Sequence, residues 1–243
     1  MLSKVGIYPF TIDAYLCDFR GKATLPMLGN FMLQVATKHA EDRGFGFNSM
    51  TGQKRVWVLS RIAIEIMEYP KNDSNIKVHT WVSDVNKIFT ERCFAFEDES
   101  GKILGYARSV WASIDMETRR PTNVLELEGL SDYSTGEPCP IEGIKKILPV
   151  KNIEPYNSFD VKYSDIDINK HLNSMKYIEH YIDMFDIEIF KEKEINRFEI
   201  SYLNEAYYGT ILDLYKKNEE EDVYILEMKN GDTTISSARI TWK

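Results

Sequence analysis

Asp165 to Phe185 reads D-I-D-I-N-K-H-L-N-S-M-K-Y-I-E-H-Y-I-D-M-F, and its two parts differ in chemistry. The first third is polar and dense in groups that accept or shuttle protons, which suits a loop and not a helix interior. In the second part Met175, Ile178, Ile182 and Phe185 recur at spacings of three, four and three, so they share one face of an amphipathic helix. Asn173 or Ser174 is placed to cap that helix. The polar groups therefore sit in a loop that ends at a helix N-terminus, where unpaired backbone N–H groups carry partial positive charge. Such an end suits a carbonyl oxygen that becomes negative during a reaction. A reading without chemistry is open as well. D-I-D-I-N is also the pattern of an Asx-rich turn whose side chains bond their own backbone, with His171 as a cap.

Upstream, Ile7 to Tyr15 alternates loosely and reads as a first strand. Thr24 then caps a helix running to about Asp42, with Leu25, Leu28, Phe31, Met32, Val35 and Ala36 on one face. His39 lies in that apolar face and reads as a core histidine with one satisfied hydrogen bond. Gly44 and Gly46 end the segment. Strand-like runs begin at Val56, Ile76, Phe89 and Ile103, each marked by alternation and β-branched or aromatic residues. One helix followed by four antiparallel strands is a layout in which a sheet wraps around the helix, an α+β arrangement.

Periodicity is lost from about Glu126 to Pro149, a stretch rich in Gly and Pro that reads as a linker. The second half then repeats the order: a strand from Phe159 to Tyr163, the loop and its helix, and strands from Ile195 to Ala206, Ile211 to Lys217, Val223 to Lys229 and Thr234 to Trp242. The acidic run Glu219 to Asp222 reads as a solvated hairpin turn. The expected organisation is an N-terminal repeat over 1–128, a linker over 129–150 and a C-terminal repeat over 151–243. The halves differ where chemistry is expected. Arg20 to Thr24, the counterpart of the polar loop, has no histidine and no carboxylate. The chain therefore has one active site, and the first repeat is left to form a substrate pocket.

Composition is that of a globular protein, with 43% hydrophobic and 12% aromatic residues in a chain of 243. A formal charge of −8 argues against nucleic-acid binding, which needs a clustered basic surface. Cys17, Cys93 and Cys139 are odd in number and far apart in sequence, which fits a reducing, cytoplasmic setting without a disulfide framework or zinc site. The first ten residues lack a continuous apolar segment, so no secretory signal is expected, and no run is long enough to span a membrane. Neither a phosphate loop nor a nucleotide fingerprint is present, so no cofactor and no metal are expected.

At D-I-D-I-N-K-H-L-N-S-M-K-Y-I the chain resembles the acyl-carrier-protein thioesterases of plant and bacterial fatty-acid synthesis, whose pattern is D-x-N-x-H followed by a helix. Q-V-A-T-K-H-A, W-V-L-S-R-I-A-I-E-I, Y-P-K-N-D-S-N-I-K-V-H-T-W-V and D-M-E-T-R-R-P extend the likeness through the first half. The resemblance implies two tandem hotdog repeats, each a long helix wrapped by an antiparallel sheet. It implies hydrolysis of a fatty acyl thioester on acyl carrier protein, with Asp167, Asn169 and His171 at the motif positions. In the family a later strand carries Glu-Cys; here the pair reads Glu205–Ala206, so the glutamate carries over and a cysteine nucleophile does not.

On that reading Glu205, helped by Asp167, activates water; Asn169 holds water or substrate; and His171 orients the nucleophile or protonates the thiolate. Backbone N–H groups near Asn173 and Ser174 polarise the carbonyl, an interaction worth about 3 kcal/mol of barrier. Basic residues such as Lys145, Lys146, Arg119 and Arg120 are candidates for docking the carrier. Acyl-CoA hydrolysis on the same fold and non-catalytic binding of acyl thioesters are the alternatives. The tandem repeats act as a pseudo-dimer within one chain, either monomeric or further paired as a homodimer.

Overall fold

The computed structural model describes residues 2–243. The chain divides into two compact units, one ending at Gly143 and the other spanning Ile144–Lys243. The first unit contains β1 (Gly6–Thr11), α1 (Leu25–Glu41), α2 (Phe47–Gly52), β2 (Arg55–Ile66), β3 (Asn75–Val85), β4 (Phe89–Asp98) and β5 (Ile103–Asp115). The second contains β6 (Asn157–Asp160), α3 (Ser174–Ile182), α4 (Ile187–Glu192), β7 (Ile195–Tyr202), β8 (Ile211–Glu220), β9 (Val223–Asn230) and β10 (Thr233–Trp242). Within the units the strand orders are β1-β3-β4-β5-β2 and β6-β8-β9-β10-β7, so the two topologies are the same. Every pairing in these two runs is antiparallel.

Helix α1 begins where Thr24 Oγ1 accepts the Met27 N–H, with Pro26 in the first turn, where a missing N–H costs nothing. The six apolar residues expected on its inner face are all buried. Phe31 stacks on Phe10 of β1 at 4.2 Å between ring centroids. Strand β1 approaches α1 so closely that a Cβ at Gly6 would lie 2.6 Å from the His39 ring, which explains glycine there. In the second unit α3 buries Met175, Tyr177, Ile178 and Tyr181. Tyr181 tolerates full burial because its hydroxyl bonds Ser236 Oγ at 2.7 Å and donates to Ser236 O at 3.0 Å.

Several boundaries differ from the sequence expectation. The first strand stops at Thr11, and Ala14–Leu16 is a turn of 3₁₀ helix. The strand expected to reach Ala206 stops at Tyr202, and the strand placed at Phe159 to Tyr163 lies at Asn157–Asp160. Helix α3 ends at Ile182, short of Phe185, whose ring instead packs on Tyr224 and Trp242. The acidic run is half strand: β8 continues to Glu220, and the turn is Glu221 and Asp222, the latter at φ 61°. Much of the Gly- and Pro-rich stretch packs on the first unit. Val124, Leu127 and Leu130 form a core cluster with Phe45 and Met50 beside α2.

His39 is fully buried and bonded on both ring nitrogens, Nε2 to Lys4 O at 3.2 Å and Nδ1 to the Arg92 guanidinium at 3.1 Å. Burial first, then the Arg92 and Arg43 charges, lower its pKa from 6.5 to about 3. The unfolded chain therefore takes up a proton near pH 6.5 that the folded chain refuses until about pH 3. Stability from this group is complete above pH 6.5 and is lost as pH falls toward 3. About 2 kcal/mol should disappear between pH 7 and pH 5. Melting temperature against pH, compared with His39→Gln, should show a flatter profile for the variant over that interval.

Candidate active site

The polar loop opens with a 3₁₀ turn at Tyr163–Asp165 and is pinched by a bridge between Ile166 and Leu172. At its tip the Asp167 N–H donates to His171 O at 2.8 Å and the Lys170 N–H to Asp167 O at 3.0 Å, with Lys170 in left-handed conformation at φ 67°. Asp167 Oδ1 accepts the N–H groups of Asn169 at 2.8 Å and His171 at 3.2 Å, and Asn169 Nδ2 reaches Asp167 Oδ2 at 3.4 Å. All hydrogen bonds of the Asp167 side chain thus run to its own loop. Asp165 also serves the fold: it is buried, its Oδ2 accepts the Lys162 N–H, and His180 Nε2 lies 3.4 Å from its Oδ1 while the His180 ring stacks on Phe159.

Glu205 lies beyond β7, in a turn and not on a strand. A bridge between His171 and Tyr207, with the Leu172 N–H on Ala206 O at 2.8 Å, runs this turn against the polar loop. His171 Nε2 consequently sits 3.5 Å from Glu205 Oε2, with side chains 26% and 36% exposed. The pair is reachable from solvent and still set in protein. Two tyrosines that the sequence reading did not single out complete the group. Tyr207 donates its hydroxyl to Glu205 Oε2 at 2.7 Å and sets its ring edgewise to His171. Tyr177 is buried; burial first, then the Glu205 carboxylate, raises its phenol pKa, with a bond at the Ala206 backbone opposing, so it stays a protonated donor beside the site.

The helix end differs from expectation in one respect. Asn173 caps α3 through Oδ1, which accepts the Met175 N–H at 2.8 Å, but its own N–H is committed to Asp165 O at 2.8 Å. The Asn173 N–H is therefore not available to polarise a substrate carbonyl. Ala206 is buried and has no nucleophile, as the sequence reading required. Among the described residues no group of three or more His, Cys, Asp or Glu side chains converges as a metal set. No helix among them is long and apolar enough to cross a membrane.

The same loop is built twice. In the first unit the Asp18 N–H donates to Lys22 O at 2.8 Å, Asp18 Oδ1 accepts the N–H groups of Arg20 and Lys22, and Gly21 takes the left-handed position. Asp18 is therefore the counterpart of Asp167, so the first loop does carry a carboxylate, just upstream of Arg20 to Thr24. The Ala23 N–H bonds Pro70 O, and Lys22 bridges Lys71, as Leu172 bonds Ala206 and His171 bridges Tyr207. Lys22 and Tyr69 thus occupy the places of His171 and Glu205. The aspartate and the loop are common to both units; the His–Glu pair belongs to the second alone.

Family models for the acyl-ACP thioesterase N-terminal domain and C-terminal domain match residues 7–128 and 151–243. The chain is 42% identical to a crystal structure of an acyl-ACP thioesterase from Bacteroides thetaiotaomicron, covering 99% of this chain and 98% of that one with a TM-score of 0.94. A 12:0-ACP thioesterase from Umbellularia californica shares the fold at a TM-score of 0.89, with 20% identity over 100% of this chain and 98% of that one. Oleoyl-acyl carrier protein thioesterase 2 of Arabidopsis thaliana, a chloroplastic protein, is 27% identical over 93% of the chain. The acyl-[acyl-carrier-protein] hydrolase FATB3 of Cuphea viscosissima is 27% identical over 96%. The chain spans 67% and 61% of the lengths of these two plant relatives.

Proposed function

The chain belongs to the acyl-ACP thioesterase family, and on that premise we propose that it hydrolyses fatty acyl thioesters carried on acyl carrier protein, releasing free fatty acid. The observation that carries the reading is the His171–Glu205 pair at 3.5 Å, present in one of two loops that are otherwise built alike. In this scheme Glu205 takes a proton from water, whose oxygen attacks the thioester carbonyl carbon. Ser174 N–H and the Asn169 amide meet the developing oxyanion. The C–S bond then breaks, and His171 delivers a proton to the leaving thiolate. Asp167 acts as a positioning residue, because its oxygens hold the backbone of Asn169 and His171 in place. With alanine at 206, no acyl-cysteine forms there.

The first repeat, with Lys22 and Tyr69 in place of the pair, is assigned the acyl chain. Lys145, Lys146, Arg119 and Arg120 are all exposed, which supports a role in docking an acidic carrier. The same reading takes the tandem repeats as a pseudo-dimer in one chain and sets the reaction in the cytoplasm. The test is steady-state thiol release from acyl-carrier-protein and acyl-CoA substrates of matched chain length. Carrier-protein substrates should turn over faster at every length. Faster turnover of CoA substrates would move the protein to acyl-CoA hydrolysis, and acyl binding without thiol release would make it a binding module.

A further inference from the structure

The three cysteines are free, and the fold treats them unequally. Cys93 is fully buried on β4, clustered with Trp81 and Ala95, and Cys139 packs against this cluster. Cys139 belongs to a stretch anchored across the sheet on both sides of it. Upstream, the Thr135 N–H donates to Val82 O at 2.9 Å and Ser134 Oγ to Ser83 O at 3.0 Å. Glu137 O accepts the Trp81 indole N–H at 3.2 Å, and Ile141 O accepts from Arg108 at 3.0 Å. The two side chains are in contact, and the Cys139 thiol donates to Ala107 O at 3.5 Å.

Their surroundings give the two sulfurs different chemistry. The Cys93 thiol, the Ile141 N–H and the Arg108 guanidinium favour a thiolate at Cys139, against burial and the Glu91 carboxylate, and its pKa is lowered. The Cys93 thiol is pushed up by its bond to Cys139 and by burial, with the Ser83 hydroxyl opposing. Cys139 is partly exposed and Cys93 is not. A partly exposed sulfur packed beside a fully buried thiol is the arrangement of an attacking and a resolving cysteine.

We propose that Cys93 and Cys139 form a reversible disulfide when the protein meets a small-molecule disulfide, with Cys139 as the point of attack. The Cys139 thiolate attacks one sulfur of the oxidant, forming a mixed disulfide and expelling one thiolate. Cys93 then loses its proton to that thiolate and attacks Cys139 Sγ, expelling the second, which takes a proton from solvent. Two electrons pass from the cysteine pair to the oxidant, which leaves as two thiols. The new bond ties the stretch around Cys139 to β4.

The full chain would be treated with excess oxidised glutathione, alkylated, and mapped by mass spectrometry without reduction. The expected result is a loss of about 2 Da, a linked Cys93–Cys139 peptide and an alkylated Cys17. The melting temperature should rise by about 5 °C and return on reduction. Cys17→Ser should behave as wild type, and Cys139→Ser should leave Cys93 unmodified. A mixed disulfide on Cys139 that never resolves, oxidation at Cys17 in place of the pair, or full reactivity in Cys139→Ser would overturn the proposal. Should Cys139→Ser fail to fold, the wild-type map alone decides, because the linked peptide is either present or absent.

Discussion

His171→Ala is expected to lower kcat for thioester hydrolysis by about 10²- to 10⁴-fold, while the melting temperature stays within about 2 °C of wild type. The first half of this expectation follows from the role assigned to the imidazole. A leaving thiolate needs a proton, and His171 is the imidazole whose Nε2 faces Glu205. The second half follows from where the ring sits. It is 26% exposed, its ring nitrogen faces Glu205, and its packing partner is the edge of Tyr207, so truncation opens no core cavity. The backbone of residue 171 bridges Tyr207 and bonds Asp167 through groups that alanine retains. Thiol release against time and a thermal melt on the same preparation check both halves. Because the pair acts as a unit, adding Glu205→Gln to His171→Ala should cost little more than the worse single change.

Asp167→Ala should lower kcat by about 10²-fold, and Asp18→Ala should leave kcat unchanged although both remove two backbone N–H contacts at a loop tip and Asp18→Ala also removes an ion pair to Arg20. Each aspartate accepts two backbone N–H groups at a loop tip, so each substitution should cost about 1–2 kcal/mol of stability. Only the loop held by Asp167 carries His171, and a shift of about 1 Å at the reacting groups is enough for a 10²-fold loss. The conservative variant separates positioning from proton transfer. Asparagine keeps an oxygen that accepts both N–H groups, so Asp167→Asn should recover most of the lost rate. A base would not be replaced in this way, and an Asp167→Asn protein as slow as Asp167→Ala would place Asp167 in the proton chemistry instead. Measuring kcat for the three variants beside their melting curves makes the comparison.

The large elements were legible because their signals are long. The stripe from Leu25 to Ala36 runs about three turns, and Thr24 marks its start. Helices α2 and α4, six residues each, are too short for a period to register. In α3 the tyrosines at 177 and 181 lie outside the apolar face expected from spacing, yet both are buried, because Ser236 and the Ala206 backbone supply partners from strands and turns distant in sequence. The duplication was visible as an order of elements but not at the loop, since Arg20-Gly21-Lys22 and Asn169-Lys170-His171 share no side chain. What they share is the preceding aspartate and a left-handed residue, which only backbone geometry reveals. Asp167, Asn169 and His171 stood out as a motif. Glu205 was found by resemblance alone, because nothing local in L-N-E-A-Y distinguishes a site carboxylate from a turn. Tyr207 follows once the turn is seen to run beside His171, and the Cys93–Cys139 contact joins residues that no spacing rule would pair.

Thiol release from an acyl-carrier-protein substrate by wild-type and Glu205→Gln proteins, side by side, tests the central claim most directly. The account predicts one free thiol per fatty acid released by the wild type, and a rate at least about 10²-fold lower for the folded variant. No release by the wild type, or wild-type turnover by Glu205→Gln, would contradict it.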